Sequence, residues 1–347
     1  MNYLQLQWYK VLHWEYWPMK VIYYPIFPAW LFFAIRARSF FFFNAANPSI
    51  KNGGMAMESK KEIYDMIPSQ HIPKTILVEK KAAITEVLKQ IEAKQIDFPL
   101  IAKPDIGMKA FGVSKIKDAK ELQEYIDGID HDFLVQELIQ YPNEAGIFYV
   151  RYPGEEHGRI TGIVSKEFLS VIGDGSSTIE ALIKKNPRSH FQLKALQKKY
   201  GNRLSEVLDK NETFILVPFG SHTRGAKFID DSAKITEKLY QTIHDICVQV
   251  PDFYYGRLDI LLSSIEELAE GKNFSIIEIN GAGSEPTHIY DPKHSLFFAW
   301  KEIIRHWGML NKISIMNKKK GHKFLSFKDG RAMLRENSKL EEQLKTI

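Results

Sequence analysis

The sequence predicts an α+β protein. Two observations carry this: strand-like and helix-like stretches that alternate without a regular βαβ rhythm, and two strong strands late in the chain; an apolar content of 44% is enough for real cores. At 347 residues there is room for one large or two to three small domains. A net charge of +5, from 47 basic and 42 acidic residues, is too mild for a dedicated nucleic-acid binder, so no nucleic-acid partner is expected. The single cysteine, Cys247, excludes an internal disulfide or a CxxC zinc site and fits a reducing, cytoplasmic address.

Residues 1–58 are aromatic and punctuated by proline, and they close with the turn formers "NAANPSIKNGG", where a boundary is placed. Within them "VIYYPIFPAWLFFAI" is uncharged, but it is shorter than a spanning helix and interrupted by Pro25 and Pro28. No small-residue cleavage site follows, so a signal peptide is not expected. Two readings stay open for it: an aromatic segment packed on the main domain, or an interfacial anchor making peripheral membrane contact. The basic run "NKKKGHK" near the C-terminus would suit an anionic surface or a solvated linker.

Next, "ESKKEIYDMI" reads as a short helix, "IPKTILV" as a strand and "AAITEVLKQIEAK" as a helix with Ile84, Val87, Leu88 and Ile91 on one side. A strand, loop and strand occupy 98–116, followed by the helix "DAKELQEYID" and the strand "DFLVQELI" leading into "YPNEAGIFYVRYP". "GDGSSTIEALIKK" is a tight turn with hydroxyl residues suited to cap a helix, and 188–210 is polar and helical. The strands "YYGRLDILL" and "FSIIEIN", the apolar helix "SLFFAWKEIIRHWGML" and a charged helical tail finish the chain. Four segments are expected: 1–58, 59–135, 136–310 and 311–347.

Side chains alternate across a strand, so Arg257 and Asp259 share one face and Glu278 and Asn280 share another. Each pair is spaced roughly 6.6 Å along its strand, a reach that suits one extended ligand. Asp, Glu and Asn together make an all-oxygen set of the kind that binds magnesium, with an exposed ion-paired face as the plain alternative. In "FPLIAKPDIGMKAFGVSKI" the lysine precedes the glycine loop and a strand follows it, which is not the GxxxxGK[ST] arrangement of a P-loop. Lys103 can instead lie along phosphates while a hairpin carrying Gly107 and Gly112 folds over them.

In this order the elements resemble the ATP-grasp superfamily, most closely the D-alanine:D-alanine ligase type and the ATP-binding part of cyanophycin synthetase, over roughly residues 59–292. The resemblance implies two α+β subdomains clasping ATP, here with an atypical short aromatic N-terminal segment in place of a Rossmann-like domain. It implies Lys103 and Lys60 on the phosphates, and Gln136, Glu137, Leu138 and Ile139 around adenine. Glu144 would meet the ribose hydroxyls, and Asp259, Glu278 and Asn280 would hold Mg2+, with Mn2+ as a substitute. Arg257 would neutralise phosphate, and Lys166 and Arg224 would be further cations for the terminal phosphate or an acyl phosphate. Arg151 is a candidate for a substrate carboxylate. The departures are Met108, Lys109 and Phe111 in the phosphate loop and "GAGSEPTHIYDP" after E-x-N, whose Glu285 and His288 imply an acceptor other than D-alanine. The expected activity is ATP-dependent, ADP-forming ligation of a small carboxylate to an amine through an acyl phosphate. Phosphotransfer, or ATP binding at a membrane surface without turnover, are the alternatives, and the oligomeric state is not expected from sequence.

Overall fold

The structure is a computed structural model that describes residues 3–108, 110–218 and 220–345; Lys109, noted above, lies outside the described residues. The chain opens with three helices, α1 (Tyr3–Leu12), α2 (Met19–Tyr23) and α3 (Phe27–Ala37). It continues through α4 (Lys60–Met66), β1 (Thr75–Val78), α5 (Ile84–Ala93), β2 (Leu100–Pro104), β3 (Ser114–Ile116), α6 (Ala119–Gly128) and β4 (Phe133–Glu137). Then come β5 (Asn143–Val150), β6 (Arg159–Glu167), β7 (Leu169–Ile172), α7 (Ile179–Lys185), α8 (Pro187–His190), α9 (Leu193–Tyr200), β8 (Thr213–Val217) and β9 (Lys227–Asp230). The last third holds α10 (Glu237–Gln249), β10 (Tyr255–Leu262), α11 (Ile265–Ala269), β11 (Phe274–Asn280), α12 (Leu296–Lys319) and α13 (Phe327–Leu344). Helix starts are fixed locally. Ser59, Asp118, Thr178, Thr236, Ser264 and Ser326 each accept a hydrogen bond from a first-turn amide, satisfying donors that the helix itself leaves open.

Two compact units form, and they divide the chain differently from the four successive segments read from sequence. One comprises Met1–Phe27, Val164–Asp231 and Thr287–Glu302; the other Pro28–Ile163, Ser232–Pro286 and Ile303–Ile347. In the second, larger unit an antiparallel sheet runs β1-β4-β2-β3. Its Leu100, Ala102, Phe133 and Val135 pack with Val87, Ile91, Leu122 and Ile126 of α5 and α6. Lys103, by strand alternation, faces away from that core. In the same unit β10 lies between β5 and β11, antiparallel to both. Leu258, Ile260 and Leu262 bury one face of β10 with Leu239, Ile243 and Cys247 of α10.

Residues 28–58 are built into this unit. Phe33, Ala34, Phe41, Phe42 and Phe43 form a core with Phe148, Tyr255, Leu310, Ile313 and Met333. Buried Asn47 accepts from the amides of Tyr254 and Tyr255 at 2.9 and 3.0 Å and donates to the carbonyls of Tyr255 and Gly53 at 2.8 and 2.9 Å. Gly54 (φ +74°) runs so close to the segment after β11 that a Cβ there would sit 2.7 Å from Gly281 Cα.

The first unit has its own core, where Leu169, Val171, Ile179, Ile183, Leu196 and Leu216 meet around the β7–β8 pair. Its N-terminal segment is tied down by Glu15, whose buried carboxylate pairs with Arg188 at 2.7 Å and His222 at 3.2 Å. Burial opposes ionisation of Glu15, but these two partners outweigh it and hold the carboxyl below its usual range. Trp14 stacks on Tyr290 and donates to the His294 carbonyl at 2.8 Å. Among the described residues no helix is long and apolar enough to cross a membrane.

Candidate active site

The site grows from the pairing of β10 with its neighbours. Arg257 lies opposite Asn280 and Asp259 opposite Glu278 across the β10–β11 ladder, and on the other side Asp259 faces Gly146 while Leu261 faces Glu144. Directly paired residues of antiparallel strands share a face, so Glu144, Arg257, Asp259, Glu278 and Asn280 all project from the face of β10 opposite α10. The register shifts between Asp259 and Ile260, leaving Ile277 bulged out of the ladder.

Arg257 forks onto Asp259, with Nε to Oδ1 at 3.0 Å and Nη2 to Oδ2 at 2.9 Å, and its Nη1 reaches the Glu285 carbonyl at 3.3 Å. Burial disfavours the guanidinium charge, but Asp259, Glu278 and Glu285 together hold its proton more tightly than usual. Asn280 donates to Asp259 Oδ2 at 3.1 Å. Two carboxylates and an amide oxygen are thus available on one face, a donor set that fits a hard divalent cation. Among the described residues no group of three or more His, Cys, Asp or Glu side chains is gathered as a metal site.

Lys103 approaches from β2. Its ammonium donates to Tyr64 Oη at 2.8 Å and to the carbonyl of the bulged Ile277 at 3.3 Å, and Tyr64 Oη itself donates to that carbonyl. The bulge therefore places a backbone acceptor, one residue before Glu278, against the lysine. Burial pulls the Lys103 pKa down to about 8, against the opposing pull of Glu278 and Asp105. Lys60, at the start of α4, donates to the Gly107 carbonyl at 2.9 Å and lies 3.9 Å from Glu278 Oε1, whereas the Lys61 ammonium pairs with Asp65. Gly112 has φ +69°, and a Cβ there would meet Pro104 Cγ at 2.8 Å. The C-terminal helix reaches this loop: a Cβ on Gly107 would lie 3.3 Å from Leu344 Cδ1, and Asn337 Nδ2 donates to Met108 Sδ at 3.9 Å.

Gln136, on β4, shares the Lys103 face, and its amide donates to Thr75 Oγ1 at 2.8 Å. Glu137 points the other way and accepts from the Lys74 amide at 3.2 Å. Leu138 and Ile139 are half-buried in the connection to β5, and Glu144 is buried. Arg151 lies over the Tyr254 ring at 5.0 Å, and its buried Nε has no hydrogen-bond partner among the described residues. Lys166 and Arg224 belong to the other unit. Lys166 is buried on β6 with its ammonium 5.9 Å from the Phe228 ring centre, and Arg224 ends a 3-10 turn before Gly225. In that unit His288 is buried 3.6 Å from Glu302.

Sequence reading missed Tyr64, Asp105 and Glu58. Asp105 accepts from the Lys61 amide at 2.8 Å. Glu58 is pushed above the usual carboxylate range by burial, with Lys60 opposing and Glu278 reinforcing, and its Oε2 has no hydrogen-bond partner among the described residues. A tyrosine four residues after a lysine on a short helix carries no signal that distinguishes it from core. Glu58, directly beside the "SKK" element, was the findable one.

No family model matches the sequence. A curated bifunctional glutathione-biosynthesis protein of Desulfotalea psychrophila is 25% identical over 208 residues, which is 52% of this chain and 25% of that protein. The chain thus spans a quarter of the length of this relative. Among solved structures, a D-Ala:D-Ser ligase from Enterococcus faecalis aligns with TM-score 0.43 and 15% identity over 75% of this chain and 62% of that one. A D-alanine–D-alanine ligase from Bacillus anthracis aligns with TM-score 0.43 and 14% identity over 76% and 69%. By its R-x-D and E-x-N strands, its lysine loop and its curated relative, the chain resembles the ATP-grasp enzymes.

Proposed function

We propose that the chain is an ATP-dependent, ADP-forming carboxylate-amine ligase acting on an amino-acid or peptide-like acid. One observation carries the reading: Lys103, from the strand before the glycine loop, meets the carbonyl next to Glu278, so lysine, loop and the Arg257/Asp259/Glu278/Asn280 face form one cluster inside one unit. The curated relative is named for glutathione biosynthesis, in keeping with a peptide-like substrate.

In this reading Lys103 and Lys60 neutralise phosphate oxygens beneath the loop of Gly107 and Gly112, and Arg257 both orients Asp259 and adds positive charge. Gln136, Glu137, Leu138 and Ile139 border the base and Glu144 the ribose. A substrate carboxylate oxygen attacks the terminal phosphorus, the bond to ADP breaks, and an acyl phosphate forms. The amine then attacks the carbonyl carbon, loses a proton, and inorganic phosphate leaves with the C–O bonding pair. Such chemistry asks for positioning and charge neutralisation rather than a protein nucleophile. Cys247 agrees: it is fully buried, and burial raises its thiol pKa. Asp259, Glu278 and Asn280 would hold Mg2+, which supplies further neutralisation of phosphate charge when bound. The address is assigned to the cytoplasm.

The test is product analysis with ATP, magnesium and paired pools of amino acids and amines. ADP and free phosphate released only when acid and amine are both present is the expected result; ADP with a phosphorylated acceptor, or no turnover with any pool, contradicts it.

A further inference from the structure

Apart from Arg36, exposed in its last turn, helix α3 is apolar on both sides. Phe33, Ala34 and Ala37 are buried in the core of their unit, yet Phe32 and Ile35 are 61% and 77% exposed, with Leu31 beside them at 40%. An all-round apolar helix belongs in a core or against lipid. At about 1.5 Å per residue, its 11 residues cover roughly 16 Å, about half the hydrocarbon thickness of a bilayer, so it would lie in the interface.

Beyond the C-terminal end of α3 the same unit holds a cavity of about 620 Å³, into which two distant chain segments bring Arg38, Ser39, Lys318, His322, Lys323 and Ser326. None of the residues lining it is acidic. Lys318 lies over the Phe324 ring at 4.5 Å, and the Lys323 carbonyl accepts from Asn44 at 3.0 Å, which pins the wall of the cavity. The nearby Asp329 is engaged by Ser326 at the start of α13. Residues 1–57 contain one acid, Glu15, and it is buried in its own ion pairs. In the other unit α1 repeats the pattern, with Leu4, Trp8, Val11 and Leu12 exposed beside exposed Lys10.

We propose that α3 and this cavity dock the protein on an anionic phospholipid membrane, with Leu31, Phe32 and Ile35 at the acyl boundary and a lipid phosphate among Arg38, Lys318, His322 and Lys323. Charge complementarity selects an anionic surface, and the apolar face ending at Arg38 selects lipid over a free anion, which has no use for Phe32 or Ile35. The inference is independent of the ligase reading.

Flotation of the full chain with vesicles tests it. The chain co-floats with phosphatidylcholine/phosphatidylglycerol vesicles and not with pure phosphatidylcholine, and binding falls steeply with added salt. The exposed triple change Arg38→Ala, Lys318→Ala, Lys323→Ala weakens binding about a hundredfold. The separate pair Phe32→Ser, Ile35→Ser abolishes flotation while the urea midpoint and the circular dichroism spectrum stay as in wild type. No flotation with anionic vesicles, equal flotation with neutral ones, wild-type flotation of both variants, or binding of inorganic phosphate without flotation overturns the proposal.

Discussion

Lys103 is the phosphate-binding candidate whose chemistry its surroundings shift, because burial disfavours its charge. Its folded pKa of about 8 lies below the ordinary 10.5, so the unfolded chain binds this proton more tightly than the folded one. Stability therefore carries a cost below about pH 8, and that cost is relieved as pH rises from about 8 towards 10.5. Function runs the other way, because a phosphate partner needs the ammonium. Nucleotide affinity should fall as pH rises through about 8, and Lys103→Arg should flatten that fall; isothermal titration across the pH range checks both. Tyr64→Phe removes one donor to Ile277 and one acceptor for Lys103, and should cost about 1 to 3 kcal/mol in urea unfolding. Asp259→Asn leaves Arg257 without its carboxylate and should reduce turnover at least about a hundredfold in a coupled ADP assay, since buried charge pairs are costly to break.

At the scale of elements, the strands and their polar faces were legible because alternation is a local rule. Arg257 with Asp259, and Glu278 with Asn280, could be placed on shared faces from spacing alone. What could not be read was the register that sets Asp259 opposite Glu278, or the bulge at Ile277, since both depend on pairing with a second strand. The C-terminal helix was foreseen as a helix, but its contact with Gly107 and Met108 joins residues more than two hundred positions apart, and no periodicity reports that. The turn formers at 44–54 marked a boundary by composition, whereas Asn47 and Gly54 make that stretch a structural support for the segment after β11. Gly54→Ala combines a left-handed φ of +74° with a contact against backbone, so it should destabilise by about 1 to 2 kcal/mol or more, read as a lower urea midpoint.

On the scale of the whole molecule, the chain passes between the two units five times, and each unit carries part of what the sequence nominated. The larger holds Lys60, Lys103, Arg257, Asp259, Glu278 and Asn280 together; the smaller holds Lys166 and Arg224. The ligase reading therefore depends first on the larger unit binding nucleotide. Titration of ATP with magnesium into the full chain, beside Lys103→Ala, tests this most directly. The account predicts saturable binding in the wild type, weakened about tenfold to a hundredfold in the variant, as befits loss of a charged hydrogen bond. No binding by the wild type, or equal affinity in Lys103→Ala, would contradict it.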